Sequence, residues 1–212
     1  MEQSIKPVVL VTGFGPFREH KINASWEAVK YLSNLKDIET DLGIKLITKE
    51  IPVEYNYVLE QIPELWHEIC PDITIHIGVS SSAQKVNIER CGGNYGYSSV
   101  DVAGCLPANN VCLIDGCEVI NTGIDIDAIV SAVNCNANSE VCCASGHAGR
   151  YLCDFTYYRS LSIDRDRCLF VHVPPMSEEF PSSYVGFLLR SIIMEMLKQL
   201  ASLSFKEREI PN

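Results

Sequence analysis

The feature that most constrains this chain is a regular alternation of short apolar runs with amphipathic segments. The apolar runs are typical of buried strands and cover residues 7–12, Lys45–Ile51, 72–79, 140–144 and Cys168–Val173. Helical spacing of apolar residues appears between and after them, over residues 23–35, 58–69, 125–133, 151–161 and from 182 or 183 onward. Alternating strands and helices predict an α/β protein with a mostly parallel sheet and helices on both faces.

Two features interrupt this pattern. Pro63 lies inside the second helical segment and predicts a break or restart there, because proline removes a backbone donor and clashes with the preceding turn. Residues 80–123 carry scattered glycines and cysteines, which predict hairpins or long loops beside the sheet. No internal repeat or linker divides the chain, so we expect one domain over residues 1–212.

The charge balance excludes some classes of partner. The formal net charge is −10, from 17 basic and 27 acidic residues, and no basic patch suggests nucleic-acid binding. No apolar run reaches the roughly 18 residues that a membrane span requires. The first residues also lack the apolar region of a signal peptide, so we expect a cytosolic protein that does not contact membranes.

Cysteine is abundant, with ten residues at positions 70, 91, 105, 112, 117, 135, 142, 143, 153 and 168. A cytosolic chain keeps its thiols reduced, so we expect no disulfide framework. No paired zinc-knuckle pattern stands out, and we expect no metal site.

A site is expected where the predicted strands end, because open α/β sheets bind ligands outside the carboxyl ends of their strands. The candidate segments there are residues 13–17, 78–82, 146–153, and His172 before a double proline. Cys153 lies at the start of a predicted helix, whose N-terminus stabilises negative charge and so favours a thiolate. Cys142, Cys143 and Cys168 lie in strands and are interpreted as small buried side chains. Inert packing remains the alternative for Cys153 from position alone.

A thiolate nucleophile needs a base. His172 at a strand end is the preferred candidate, and His147, six residues before the cysteine, is the rival. His76 lies within a strand and is expected to be packed, whereas His20 and His67 are expected at the surface. The orienting carboxylate cannot be chosen from 27 by spacing.

Seven segments taken together resemble a known family. They are VLVTGFGPF (9–17), NASWEAV (23–29), EIPVEY (50–55), HIGVSSSA (76–83), IERCGGNYGY (88–97), AGRYLCDFTYY (148–158) and FVHVPP (170–175). In this order they are similar to pyroglutamyl-peptidase I, most of all to its animal cytosolic form. The resemblance implies a single-domain, three-layer α/β/α sandwich with a twisted mixed sheet. It also implies a cysteine peptidase that removes N-terminal pyroglutamate from peptides.

The resemblance assigns the catalytic roles that spacing left open. It implies Cys153 as the nucleophile, His172 as general base and acid, and Glu89 as the carboxylate that orients His172. No metal or organic cofactor is implied.

The resemblance also implies a substrate pocket and an assembly state. Phe14 and Phe17, with Tyr151, wall an apolar pocket for the pyroglutamyl ring; without the resemblance, the two phenylalanines would be interpreted as capping the core. The implied partners are small peptides, and the implied state is a monomer.

Some segments depart from the family pattern. His147 stands where relatives carry Asp or Asn, and residues 80–82 and 98–117 are looser matches. These departures motivate one alternative hypothesis, a silent binding protein on the same scaffold. The high cysteine content motivates another, a redox-sensing thiol at Cys153.

Overall fold

The computed structural model describes residues 6–17 and 21–208, with side chains described to residue 202. The strands are β1 (Val8–Phe14), β2 (Lys45–Ile51), β3 (Ile73–Val79), β4 (Val86–Glu89), β5 (Cys91–Gly93), β6 (Val119–Asn121), β7 (Cys142–Ser145) and β8 (Cys168–Val173). The α-helices are α1 (Ala24–Ser33), α2 (Ile38–Asp41), α3 (Tyr55–Ile69), α4 (Ile126–Ala137), α5 (Leu152–Leu161) and α6 (Ser182–Arg208). No helix among these is long and apolar enough to cross a membrane.

A six-stranded sheet forms the middle layer, in the order β2-β1-β3-β8-β4-β7. The first four strands are mutually parallel, and β4 pairs antiparallel with β8. Helices α1, α4 and α6 pack on one face, mainly through Val, Ile and Leu, while α3 and α5 cover the other with an aromatic-rich core. This arrangement confirms the predicted three-layer α/β/α sandwich with a mostly parallel mixed sheet.

Most predicted elements are present. The bounds of β2 and β8 agree with the prediction, and α5 begins one residue later than expected. Asn23 caps α1, since its side chain accepts the N–H of Ser25 at 3.1 Å. The Asn23 amide also donates to the Gly15 carbonyl at 2.9 Å. This contact ties the loop after β1 to the helix and thereby holds one wall of the cleft described below.

The predicted break at Pro63 is wrong, because α3 continues through it. Pro63 has no N–H to donate to the carbonyl four residues earlier, that of Leu59. This carbonyl instead accepts a long hydrogen bond of 3.5 Å from Arg159 Nε on α5. An interior proline costs about 3 kcal/mol. Burial of the apolar stripe of α3 contributes about 1.5–3 kcal/mol per side chain, and therefore outweighs that cost. The stripe comprises Tyr55, Val58, Ile62 and Trp66.

The interpretation of residues 80–123 is wrong in one respect. β4 does not lie beside the sheet but within it, between β8 and β7. Its four residues alternate apolar and polar, so that Val86 and Ile88 face the aliphatic core while Asn87 and Glu89 face the other way. Because this run is short and contains polar residues, its sequence pattern did not indicate a strand. β5 and β6 do form a separate two-stranded ribbon, as predicted for this region.

The direction of β7 does not fit the prediction that residues 146–153 follow a strand ending at the site. β7 is parallel to β4 and therefore runs opposite to β8, so its carboxyl end does not lie at the same edge as those of β1, β3 and β8. Ser145, its last residue, is level with Glu89 and Phe170 rather than with the end of β8. Residues 146–153 nevertheless reach the predicted site, because they pass over the sheet to enter α5.

Candidate active site

One row of residues crosses the sheet face that α5 covers. Gly78, His172, Asn87 and Cys143 occupy paired positions on β3, β8, β4 and β7. Phe14 follows the last residue of β1 that pairs with β3, and so stands at the other end of the row. Because successive residues of a strand point to opposite faces, this register alone brings together residues far apart in the chain.

Cys153 reaches this row from the first turn of α5. Its side chain is partly exposed, and its Sγ atom lies against the backbone of Gly78. A Cβ atom built at Gly78 would approach Cys153 Sγ to 2.7 Å and Phe170 Cζ to 2.8 Å, both far inside van der Waals contact. Gly78 therefore makes the space in which the sulfur sits. A lone glycine inside the β-branched run of β3 is a sequence signal for such a close approach; the prediction placed residues 78–82 at a strand end but did not assign this role to the glycine.

His172 is held by Glu89. The His172 Nδ1 atom donates to Glu89 Oε1 at 2.8 Å, and these residues are only 6% and 1% exposed. Tyr157 donates its hydroxyl to the main-chain carbonyl of Glu89 at 2.9 Å, which anchors the end of β4. The Phe170 ring packs against the imidazole with a centroid distance of 4.8 Å. The hydrogen bond to Glu89 and the packing of Phe170 restrict the imidazole to one orientation.

The electrostatics favour the protonated form of His172. Burial alone lowers the pKa of His172, but the negative charge of Cys153, the hydrogen bond to Cys153 and the contact with Glu89 outweigh it and raise this pKa to about 10. An imidazolium between a thiolate and a carboxylate is the arrangement that activates a cysteine nucleophile. The structure thus brings together the three residues that the sequence resemblance assigned to catalysis.

The rival base has no comparable environment. His147 is exposed on the cleft rim, and its Nδ1 atom accepts the backbone N–H of Gly149 at 3.1 Å. No carboxylate among the described residues forms an ion pair with it. His147 therefore lacks the orienting partner that His172 has.

The remaining histidines lie as expected where they are described. His76 is fully buried, and burial lowers the pKa of His76 to about 3. It is hydrogen-bonded to Thr12 at 2.7 Å and to Ser160 at 2.6 Å, which confirms a packed, neutral role. His67 is exposed, and His20 lies outside the described residues.

A buried carboxylate beside the cysteine was missed by sequence reasoning. Asp154 accepts hydrogen bonds from the Gly93 N–H at 3.0 Å, from Tyr97 at 3.0 Å and from Arg150 at 2.8 Å. Burial raises the pKa of Asp154, although these hydrogen bonds partly offset that effect. The cluster fastens the first turn of α5 to the β5 ribbon. The spacing of Arg150 and Asp154, four residues apart, was the only signal in the sequence.

Three members of this row, Phe14, His172 and Asn87, line a cleft of about 840 Å³. Phe14, Phe17 and Tyr151, the three residues predicted for the substrate pocket, all line it at one end. Phe14 is only 3% exposed and also belongs to the aromatic core, so the core-capping interpretation is partly right. The Tyr151 hydroxyl donates to the Val100 carbonyl at 3.0 Å, which fixes this wall.

The other cysteines are free thiols in different environments. All ten cysteines are unpaired with one another, and Cys142 and Cys168 are buried as predicted. Cys143 is only partly buried, contrary to that prediction, and its thiol donates to Asn87 Oδ1 at 3.1 Å at the polar end of the row. Among the described residues, no group of three or more His, Cys, Asp or Glu side chains could hold a metal ion.

The fold and the site together define an α/β-sandwich protein with a Cys–His–Glu site of the cysteine-hydrolase kind. The family model described as pyroglutamyl peptidase matches residues 7–196, and the chain belongs to this family. The chain is 46% identical to pyroglutamyl-peptidase 1 of Rattus norvegicus over 199 residues, which are 93% of this chain and 92% of that protein. Its identity to the Homo sapiens pyroglutamyl-peptidase 1 is also 46%, over 202 residues and 94% of each chain.

Solved structures show the same fold at lower identity. Pyroglutamyl peptidase I of Bacillus amyloliquefaciens superposes with a TM-score of 0.79 at 24% identity, covering 90% of this chain and 97% of that one. A mutant pyrrolidone carboxyl peptidase of Pyrococcus furiosus gives a TM-score of 0.80 at 23% identity, covering 91% and 99%.

Proposed function

We propose that this protein is a cysteine omega peptidase that hydrolyses the amide bond after an N-terminal pyroglutamyl residue. The observation that carries the proposal is the buried His172, which is hydrogen-bonded to Glu89 and whose pKa is raised to about 10 by the neighbouring Cys153 and Glu89 despite burial. Membership of the pyroglutamyl peptidase family gives the substrate class.

The reaction is an acyl transfer in two stages. The Cys153 thiolate attacks the carbonyl carbon that joins pyroglutamate to the next residue, and the C–N bond breaks as His172 gives its proton to the departing amine. The acyl group is then a thioester on Sγ. Neutral His172 takes a proton from water, hydroxide attacks the thioester, and pyroglutamate leaves as the thiolate and imidazolium are restored. Glu89 keeps the ring oriented throughout.

The start of α5 supplies stabilisation for the oxyanion. The first N–H groups of a helix have no intrahelical acceptor, and here no side-chain hydrogen bond caps them. Their positive end lies at Cys153, where negative charge develops on the substrate oxygen. Such preorganised donors are worth about 3–4 kcal/mol in acyl transfer.

The aromatic end of the cleft accounts for selectivity toward pyroglutamate. The lactam ring is neutral, so the walls of Phe14, Phe17 and Tyr151 can bury it while its amide and carbonyl find polar partners. An N-terminal glutamate would bring an ammonium and a carboxylate into the same space. Burying those charges without partners costs several kcal/mol, so the pocket rejects the open-chain form.

Replacing Glu89 by glutamine tests the role of the carboxylate. The amide keeps an acceptor for His172 Nδ1 but removes the negative charge, so the pKa of His172 falls from about 10. Because the reactive ion pair exists only below that pKa, the alkaline limb of the kcat/KM profile is expected to move down by about 1–3 pH units. The measurement is kcat/KM from pH 5 to 10.5. An unchanged limb with an equal loss of thermal stability and rate would assign Glu89 a structural role.

The proposal itself is tested by incubating the protein with a pyroglutamyl tripeptide and with the same peptide beginning with glutamate. Mass spectrometry is expected to show free pyroglutamate and the shortened dipeptide from the first substrate only. Prior alkylation with iodoacetamide is expected to stop the release. Tight binding of an intact pyroglutamyl peptide would instead identify a silent binding protein.

We further propose that the whole chain, residues 1–212, acts as one peptidase domain, as a monomer in the cytosol. The ten free thiols, several of them exposed, fit a reducing compartment. The net charge of −10 disfavours nucleic acid as a partner.

A further inference from the structure

The cleft has two chemically different ends on either side of Cys153. Toward β1 its walls are aromatic, and toward β4 and β7 they are polar, formed by Asn87, Ser145 and His147. If the pyroglutamyl ring occupies the aromatic end, its carbonyl carbon lies at Cys153. The chain that follows pyroglutamate then extends over His172 toward the polar end.

Asn87 presents a donor at this polar end. It is paired with His172 across β4 and β8 and with Cys143 across β4 and β7. The Cys143 thiol donates to Asn87 Oδ1 at 3.1 Å, which assigns the oxygen to that side and leaves the amide nitrogen on the other. Asn87 is half-buried and lines the cleft, and its Nδ2 atom donates no hydrogen bond to any of the residues that the structure describes.

His147 presents a second donor. Its Nδ1 atom accepts the backbone N–H of Gly149 at 3.1 Å, so the neutral imidazole carries its proton on Nε2. The backbone N–H of His147 in turn donates to Ser145 Oγ at 3.3 Å, which holds the start of this loop to the end of β7. The polar end therefore combines two N–H donors whose orientation is set by contacts at their far sides.

We propose that Asn87, assisted by His147, binds the main-chain carbonyl of the residue that follows pyroglutamate, and so makes peptides better substrates than amides of simple amines. This inference rests on the proposed function and adds to it a binding site for the part of the substrate that leaves. A peptide offers a carbonyl oxygen a few ångströms beyond the scissile bond, whereas an anilide offers none.

The test compares two substrates, pyroglutamyl-alanyl-alanine and pyroglutamyl anilide, with the wild type and Asn87→Ala. For the tripeptide, kcat/KM is expected to fall about five- to tenfold, the effect of one neutral hydrogen bond. For the anilide it is expected to stay within about twofold, which also shows that the variant is folded. Asn136→Ala, at an exposed position on α4, is the matched control and should change neither rate.

A second variant, Cys143→Ala, keeps the amide but removes the donor that orients it, so a smaller loss on the tripeptide alone is expected. Equal losses on both substrates would overturn the inference, because Asn87 would then act on His172 rather than on the leaving peptide. Unchanged tripeptide kinetics in Asn87→Ala would overturn it as well. Failure of the wild type to hydrolyse either substrate would remove the proposed function itself, a distinguishable result.

Discussion

Replacing Cys153 by alanine is expected to lower kcat for a pyroglutamyl amide by at least about 10⁴-fold, the usual result of removing a nucleophile. The loss should extend beyond rate. The charge of Cys153 and its hydrogen bond are the largest contributions that hold the pKa of His172 at about 10 against burial. Without them only Glu89 opposes the effect of burial, and the pKa of His172 is expected to fall. Titration of the His172 ring by NMR measures this shift.

The matched control for this experiment is Cys135→Ala. Cys135 is an exposed thiol on α4, on the opposite face of the sheet, and its removal is expected to leave turnover and the His172 titration unchanged. The two variants together also test the redox-sensor alternative, because a Cys153 thiol that only sensed oxidation would not be required for turnover. If Cys153→Ala retained near-normal turnover, the proposed mechanism would be wrong.

Replacing Gly78 by alanine is expected to lower kcat/KM about 100-fold, although residue 78 carries no reactive group. The added methyl would lie 2.7 Å from Cys153 Sγ, so the sulfur has to move away from His172. A displacement of about 1 Å at a reacting atom is enough for a loss of this size. The same displacement weakens the ion pair. The rate of alkylation by iodoacetamide should therefore fall, and the pKa of His172 should drop below about 10.

Overpacking also destabilises a protein, typically by about 1–3 kcal/mol, so a control with the same steric fault is needed. Gly186→Ala provides it, because a Cβ there would lie 2.7 Å from the Tyr31 ring, between α6 and α1 on the far side of the sheet. This variant is expected to lose thermal stability while keeping kcat and alkylation rate. Normal alkylation and turnover in Gly78→Ala would contradict the proposed role of the glycine.

The parts of the fold that could be predicted are those with strong local signals. Residues 7–12 and Cys168–Val173 are apolar on both faces, and only a central strand of a covered sheet buries both. β4 could not be recognised in the same way, because Asn87 and Glu89 give it the composition of a loop. The break expected at Pro63 fails for a related reason. Arg159, nearly a hundred residues away, donates to the carbonyl that the proline leaves unpaired.

The candidate site divides along similar lines. Cys153 at a predicted helix start and His172 at a strand end are local features, and position alone already made them candidates. Glu89 was one of 27 carboxylates, and only the family resemblance singled it out. Asp154 was missed, and Gly78 was part of a candidate segment without its role being recognised. The role of Asp154 depends on its hydrogen bonds with Gly93 and Tyr97. The role of Gly78 depends on the Cys153 sulfur, which comes from another element.

By itself, the sequence determined the class of fold, the segments that end near the site, and the chemical groups available there, since these follow from local periodicity and residue type. Only the tertiary structure decided which groups meet. Strand order and register align Gly78, His172 and Asn87 in one row, and the antiparallel β4 inserts Glu89 beside a strand that follows it by some eighty residues. Pairing between distant strands is set by the burial of whole faces against α1, α5 and α6. No short window of residues contains that information.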